Sequence, residues 1–260
     1  MQINNEIYQI HGHDWWSEDA SFEILSLRYC MNPVRYGYFR RRLQQLRFQG
    51  RALLDVGCGG GFLAEEFARD GFCVTGIDPA DRSIEAARKH AAENNLTIEY
   101  RVGKGEALPF PDAAFDIVAC CDVLEHVDDP GLVIGEVARM LKPGGLFCYD
   151  TVNRTWLSKV ALIKISQEWR FTSWTEPNVH VCEKFIKPVE LIALMNRCKL
   201  RNLDLRGISS RKNPLALLAC LRALKKGKLI DRELSGIFAL HESEDLRISY
   251  MGYAVKSSSV

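Results

Sequence analysis

The stretch LLDVGCGGGFLAEEFARDGFCVTGID, Leu53 to Asp78, restricts the folding of this chain more than any other. An apolar run, Ala52 to Val56, breaks off into glycines at Gly57, Gly59, Gly60 and Gly61, and Phe62 to Arg69 then takes up helical spacing. Cys73 to Ile77 reads as a second strand, with Asp78 at its end, about 20 residues past the first glycine. Strand, glycine turn, helix, strand and terminal acid are the parts of a crossover that binds an adenosine-containing ligand. The glycines let a ligand approach the backbone, and the amides that open the next helix favour an anion. The terminal acid suits a pair of ribose hydroxyls. A dinucleotide fingerprint would need glycine at position 62, where this chain has Phe62.

The same rhythm continues to Val152. Ser83 to Asn94 and Pro130 to Leu141 have helical spacing, while Leu96 to Val102, Phe115 to Cys121 and Leu146 to Val152 read as strands. Apolar strands alternating with helices predict a parallel sheet covered on both faces. Before Arg51 two segments look helical, with Tyr36, Phe39 and Leu43 on one face. After Asn153 the alternation stops, and residues 154–186 read as an insertion over the sheet edge. A helix from Val189 to Arg197, opened by Pro188, a strand near Leu203 and a last strand from Leu246 to Lys256 follow.

Composition excludes several classes. At 260 residues, 47% apolar and 26% charged, the chain reads as one ordinary globular domain. A net charge of +1 gives no global pull toward nucleic acid. Nine cysteines without CxxC spacing, several inside apolar runs, favour reduced thiols in a cytoplasmic protein over disulfides or zinc. The amino terminus lacks the apolar core of a signal peptide, and no apolar run approaches the roughly 18 residues of a membrane span.

Three further motifs choose between ligands. An acid, Asp55, stands two positions before Gly57; Glu106-Ala-Leu-Pro-Phe-Pro-Asp112 with Phe115-Asp116 precedes the fourth strand; Leu141-Lys-Pro-Gly-Gly145 precedes the fifth. Over residues 45–152 the set resembles the class I methyltransferases, which bind S-adenosylmethionine. The flanks narrow the resemblance. Trp15-Trp16, Asn32-Pro-Val-Arg35-Tyr-Gly-Tyr38, Cys121-Asp-Val-Leu-Glu-His126, Asn153-Arg154, Lys184-Phe-Ile-Lys-Pro188 and Asn213-Pro214 are similar to the ubiquinone biosynthesis O-methyltransferases, which methylate catechol hydroxyls of polyprenylated rings. One departure is the stretch of some thirty residues, Leu215 to Asp245, before the last strand, where that family usually closes.

The resemblance implies an α/β, Rossmann-like fold: a mostly parallel seven-stranded sheet, helices on both faces and an antiparallel last strand. The parts would be a helical cap (1–50), a cofactor core (51–152), an insertion (153–187) and a C-terminal part (188–260) with a helical insertion at 215–245. Arg35 would reach the methionine carboxylate of the cofactor. Gly57, Gly59 and Asp78 would hold its backbone and ribose, Gly105 and Glu106 would lie along the adenine, and Cys121 would line the site through its main chain. Lys104 stands where many members have an acid.

Asp122, Glu125 and His126 are spaced i, i+3, i+4, so one helical turn would bring them together. The family uses such a set for a divalent cation such as Mg²⁺, which would lower the pKa of a phenol, near 10, and orient its oxygen. The alternative is a metal-free turn with His126 as general base, Glu125 beside it. Two apolar-basic segments bear on the substrate. One carries Trp156, Leu157, Val160, Ile163 and Trp169 with Lys159, Lys164 and Arg170; the other carries Leu217, Leu218, Leu221 and Leu224 with Arg222, Lys225, Lys226 and Lys228. Such helices either bind an anionic membrane surface from the cytoplasmic side or close as a substrate lid. The leading expectation is an O-methyltransferase of a lipophilic catechol-type ring. The competing ones are a methyltransferase of a soluble small molecule capped by residues 215–245, and a non-catalytic S-adenosylmethionine-binding partner protein.

Overall fold

The computed structural model describes residues 3–225 and 234–257. Eight strands form one sheet in the order β3-β2-β1-β4-β5-β8-β6-β7. They are β1 (Ala52–Val56), β2 (Cys73–Asp78), β3 (Ile98–Val102), β4 (Phe115–Cys121), β5 (Leu141–Val152), β6 (Leu200–Ser210), β7 (Leu240–Ser243) and β8 (Ser249–Lys256). The first five pair in parallel; β8 runs antiparallel between β5 and β6, and β7 is antiparallel to β6. This is the expected mostly parallel α/β sheet with its antiparallel last strand.

Adjacent residues of each central strand serve opposite faces, as the strand period requires. Leu54, Val118, Phe147 and Tyr149 pack with Val133, Val137, Leu191 and Met195 of the helices Pro130–Met140 and Pro188–Arg197. Leu53, Ile117, Leu146 and Cys148 pack on the other face with Phe39, Phe67, Ile84 and Ala87 of Asn32–Gln45, Phe62–Arg69 and Asp81–Glu93. Covering both faces is what lets these strands be apolar throughout.

Two boundaries differ from expectation. Leu141 ends no helix: it is extended and pairs with Phe115, so β5 begins there and takes in Lys142-Pro-Gly-Gly145. An eighth strand, β7, lies where sequence alone suggested only helix. It has four residues and a single strongly apolar one, too little to stand out, and it pairs at the sheet edge with the far longer β6.

The irregular parts gather on one side. A third apolar cluster joins Trp15, Ile24 and Leu25 to Leu234 and Ile237, residues of the N-terminal cap and of the short helix Leu234–Phe238. Phe22 lies 5.4 Å from the Trp174 ring and 5.9 Å from Phe238, so it touches both the 153–187 insertion and the 215–245 segment. Of the expected basic face, the helix Pro214–Lys225 buries Leu221 and half-buries Leu217 and Leu218, while Lys226 and Lys228 lie outside the described residues. Among the described residues no helix is long and apolar enough to cross a membrane.

Candidate active site

The strand order reverses between β1 and β4: the chain leaves β1 toward β2 and β3, then returns to place β4 on the other side. Ligands of open parallel sheets settle outside the carboxyl ends of strands at such a switch. A cavity of ≈ 790 Å³ opens there, within the ~300–1,000 Å³ range of small-molecule sites. Its walls include Arg35, Gly57, Gly59, Asp78, Gly105, Glu106, Cys121, Asp122 and His126, together with Asp55 and Lys104. Every cofactor residue expected from the sequence therefore faces one space.

The glycine loop is shaped for close approach. Gly57 and Gly59 have φ of +70° and +50°, where a side chain is strained, and a Cβ on Gly57 would collide with Val123. Asp78 is buried, and both its oxygens are fixed by amides: Gly59 N–H donates to Oδ2 and Ala80 N–H to Oδ1, each at 2.9 Å. Each oxygen keeps a second lone pair for a further donor. Burial raises the Asp78 pKa, and the two amides oppose that. Asp55, also on the wall, is pushed up to about 7 by burial against the pull of Arg35, and its Oδ2 is sealed without a partner.

Arg35 is 6% exposed and sits among carboxylates. It pairs with Asp122, and its Nε lies 3.0 Å from Asp150 Oδ2, an ion-pair contact off the hydrogen-bond line. The Asp122 amide donates to Asp150 Oδ1 at 2.8 Å. These contacts turn the chain sharply as β4 ends. Asp122 takes φ of +54°, a left-handed conformation that aspartate tolerates better than most residues.

That turn overrides the expected helix at 122–126, and the metal set does not form. Glu125 points into the protein, 2% exposed, and accepts from Thr151 Oγ1 at 2.8 Å; burial beside Asp122 raises its pKa. Asp122 turns to Arg35, and His126 turns to the cavity and to Asn5. Among the described residues no three His, Cys, Asp or Glu side chains converge to hold a metal ion. The spacing was right for one helical turn, but the backbone is not helical there.

His126 lies in an aromatic setting that sequence did not reveal. The Tyr8 ring meets it edge-on at 5.9 Å and the His180 ring lies 5.5 Å away. Burial and the neighbouring His180 lower the His126 pKa to about 3, and burial lowers that of His180 to about 4. Both rings are neutral at physiological pH. Tyr8 and Asn5 come from the N-terminal segment and His180 from the insertion; only the quoted Trp15-Trp16 hinted that this segment returns to the site. Trp15 covers the glycine loop, its ring within 2.7 Å of where a Cβ on Gly59 would stand.

A family model described as a methyltransferase domain matches residues 54–149. The ubiquinone biosynthesis O-methyltransferase of Haemophilus ducreyi is 38% identical over 201 residues, covering 75% of this chain and 82% of that protein. The protein of the same name from Paramagnetospirillum magneticum is 37% identical over 251 residues, covering 93% and 89%. In fold, an S-adenosylmethionine-dependent methyltransferase from Thermotoga maritima matches with a TM-score of 0.60 at 22% identity, over 91% of this chain and 95% of that one. Switch-point cavity, glycine loop and sheet order thus define a class I S-adenosylmethionine-dependent methyltransferase. Within that class, the chain belongs to the ubiquinone biosynthesis O-methyltransferase family.

The half-buried histidines generate a pH prediction. His180 titrates near 4 in the folded chain and near 6.5 when unfolded, so the folded form binds fewer protons between those values. Its contribution to stability is complete above about pH 6.5 and is lost as pH falls toward 4. Urea denaturation of wild type and His180→Asn across pH 4–7 should show the wild type losing more stability on acidification. Parallel curves would contradict a His180 held neutral in the fold.

Proposed function

We propose that the protein transfers the methyl group of S-adenosylmethionine to a phenolic hydroxyl of a catechol-type, polyprenylated ring, as in ubiquinone biosynthesis. The observation that carries the reading is one cavity holding the ribose-type acid Asp78 and the glycine loop together with His126, in a chain of this family. The residues fit the cofactor. Gly57 and Gly59 leave room for its backbone, Asp78 offers a lone pair to each ribose hydroxyl, and Gly105, Glu106 and Cys121 line the remainder. Arg35 retains donors for the methionine carboxylate beyond those given to Asp122 and Asp150. Asp55 and Asp122 place carboxyl groups on the same wall as Arg35.

Bound S-adenosylmethionine supplies a methyl group on a positively charged sulfur, which leaves with the pair of the broken carbon–sulfur bond. The chain's own part is to hold the acceptor and remove its proton. In this reading the hydroxyl gives its proton to His126, and the oxygen pair so released forms the bond to the methyl carbon. A neutral imidazole is required at the start; burial maintains one but also disfavours its protonation, which the Asp122 carboxylate opposes. No step is assigned to a cation, because Asp122, Glu125 and His126 do not meet.

The lipid tail suggests contact with an anionic membrane surface from the cytoplasmic side. Trp156 is 76% exposed and Phe171 73%, with Trp169 also exposed, all on the 153–187 insertion. Exposed aromatic side chains anchor proteins at membrane interfaces, and Lys159 and Arg170 beside them are exposed as well. Lys164 is already paired with Glu168.

Methyl transfer should be followed with catechols that carry or lack a prenyl tail; turnover is expected for both, with higher kcat/KM for the tailed ring. Cofactor binding without turnover on any phenol would favour the non-catalytic reading. In calorimetry, Asp78→Ala should weaken S-adenosylmethionine by about 1.5–3 kcal/mol, the worth of charge-assisted hydrogen bonds, and an unchanged affinity would remove Asp78 from the site. Vesicles containing anionic lipid should retain the protein at low salt, and a Trp156→Ala, Phe171→Ala double variant should sediment less. Absence of wild-type binding would leave residues 153–187 as a lid only.

A further inference from the structure

Of the four glycines in the loop, Gly60 is the one that neither backbone nor ligand explains. Gly57, Gly59 and Gly61 take left-handed φ of +70°, +50° and +90°, and Gly57 and Gly59 line the cavity. Gly60 does neither. What it makes room for is the N-terminal segment. A Cβ on Gly60 would collide with Cβ and Cγ of Trp15, and one on Gly59 would meet the Trp15 ring. The Cβ of Trp15 moves only with its main chain, so no change of rotamer would relieve the first collision.

Both tryptophans grip this end of the sheet. Trp15 Nε1 donates to Ser83 Oγ and Trp16 Nε1 to the Gly60 carbonyl, each at 2.8 Å. Trp16 also stacks on His90, with ring centroids 3.4 Å apart and planes within 3°. His90 is itself held, its Nδ1 lying 2.7 Å from Oε1 of the buried Glu65. Upstream, Gly12 brings the same segment flush against the helix Asp81–Glu93: a Cβ there would lie 2.7 Å from Arg82 Cβ and 2.8 Å from Ser83 N. The segment is thus a strap, and Asn4, Glu6, Tyr8, Gln9 and Trp15 on it form part of the cavity wall. Its one helix, Glu6–Ile10, has five residues and no side-chain cap, too short to persist by itself. Tertiary contacts alone hold the strap in place.

We propose that Gly60 is a positioning residue of the cofactor site: it seats the Trp15–Trp16 pair, the pair latches the strap across the cavity, and the latch sets how long the cofactor stays bound. The inference rests on the placement of the cofactor against the glycine loop and Asp78. It adds that part of the glycine loop serves a second segment of the chain, and that Trp16, which lies off the cavity wall, belongs to the site through Gly60. With the latch undone, the glycine loop and Asp78 remain but one wall is loose, so the change falls on release of the ligand more than on its entry.

The test measures dissociation of labelled S-adenosylhomocysteine from the full chain, chased with unlabelled ligand, and does not depend on turnover. Gly60→Ala should speed dissociation by roughly 10-fold or more, because the added methyl overpacks the seat of Trp15. Trp15→Gly, which removes both atoms that methyl would strike, should speed it as well. Adding Gly60→Ala to Trp15→Gly should then change nothing further, a non-additivity that a direct effect of residue 60 on the ligand would not produce. Trp16→Phe keeps a ring on His90 but loses the bond to Gly60, and should give a smaller increase. In the ligand-free protein, amide hydrogen exchange over residues 7–16 should quicken in Gly60→Ala. Wild-type dissociation in both Gly60→Ala and Trp16→Phe, or additive effects of Gly60→Ala and Trp15→Gly, overturns the latch. Unchanged affinity in Asp78→Ala would instead overturn the placement of the cofactor on which the latch rests.

Discussion

One buried guanidinium organises the mouth of this sheet. Arg35 reaches from the helix Asn32–Gln45 to Asp122 at the end of β4 and Asp150 in β5; Arg35 and Asp150 are buried, and Asp122 is partly exposed on the cavity wall. Such pairs add little net stability against an apolar alternative, but removing one partner costs about 3–5 kcal/mol because the charge left behind is uncompensated. The arrangement therefore acts less as glue than as a constraint. It pins the N-terminal cap to the carboxyl edge of the sheet, and it bends the chain at Asp122 into a left-handed turn. From that bend follow the inward course of Glu125 toward Thr151 and the outward course of His126 toward the cavity.

The roof of the site is made from three pieces far apart in the chain. The N-terminal cap, the 153–187 insertion and the 215–245 segment meet around Phe22. The insertion is anchored where it starts and where it ends: Asn153 Nδ2 donates to the Leu246 carbonyl at 2.8 Å, and the Ile186 amide to the Val152 carbonyl at 3.0 Å. Fixed ends with a partly exposed aromatic middle suit a cover that must admit a bulky ring yet keep water from the reacting atoms.

What could be read from the sequence was what depends on neighbours in the chain. Strand runs such as Phe115–Cys121, the glycine loop and Asp78 are local patterns, and the structure places them as expected. The turn at Asp122 is not local. Its geometry is imposed by Arg35, 87 positions away, and i, i+3, i+4 spacing has no meaning without a helix beneath it. Asn5, Tyr8 and His180 were invisible for the same reason: each reaches His126 only through tertiary packing of segments with no periodicity. The edge strand β7 gives no signal because its four half-buried residues, Leu-His-Glu-Ser, show no alternation to detect.

The account's central claim is that cofactor and acceptor share the cavity between Asp78 and His126. A crystal structure with S-adenosylhomocysteine tests it most directly. The expected result places the ribose hydroxyls on Asp78 and the sulfur facing His126, with Arg35 still held by Asp122 and Asp150. A ligand bound elsewhere, or a 122–126 turn that refolds so that Glu125 swings into the cavity beside Asp122 and His126, would contradict it.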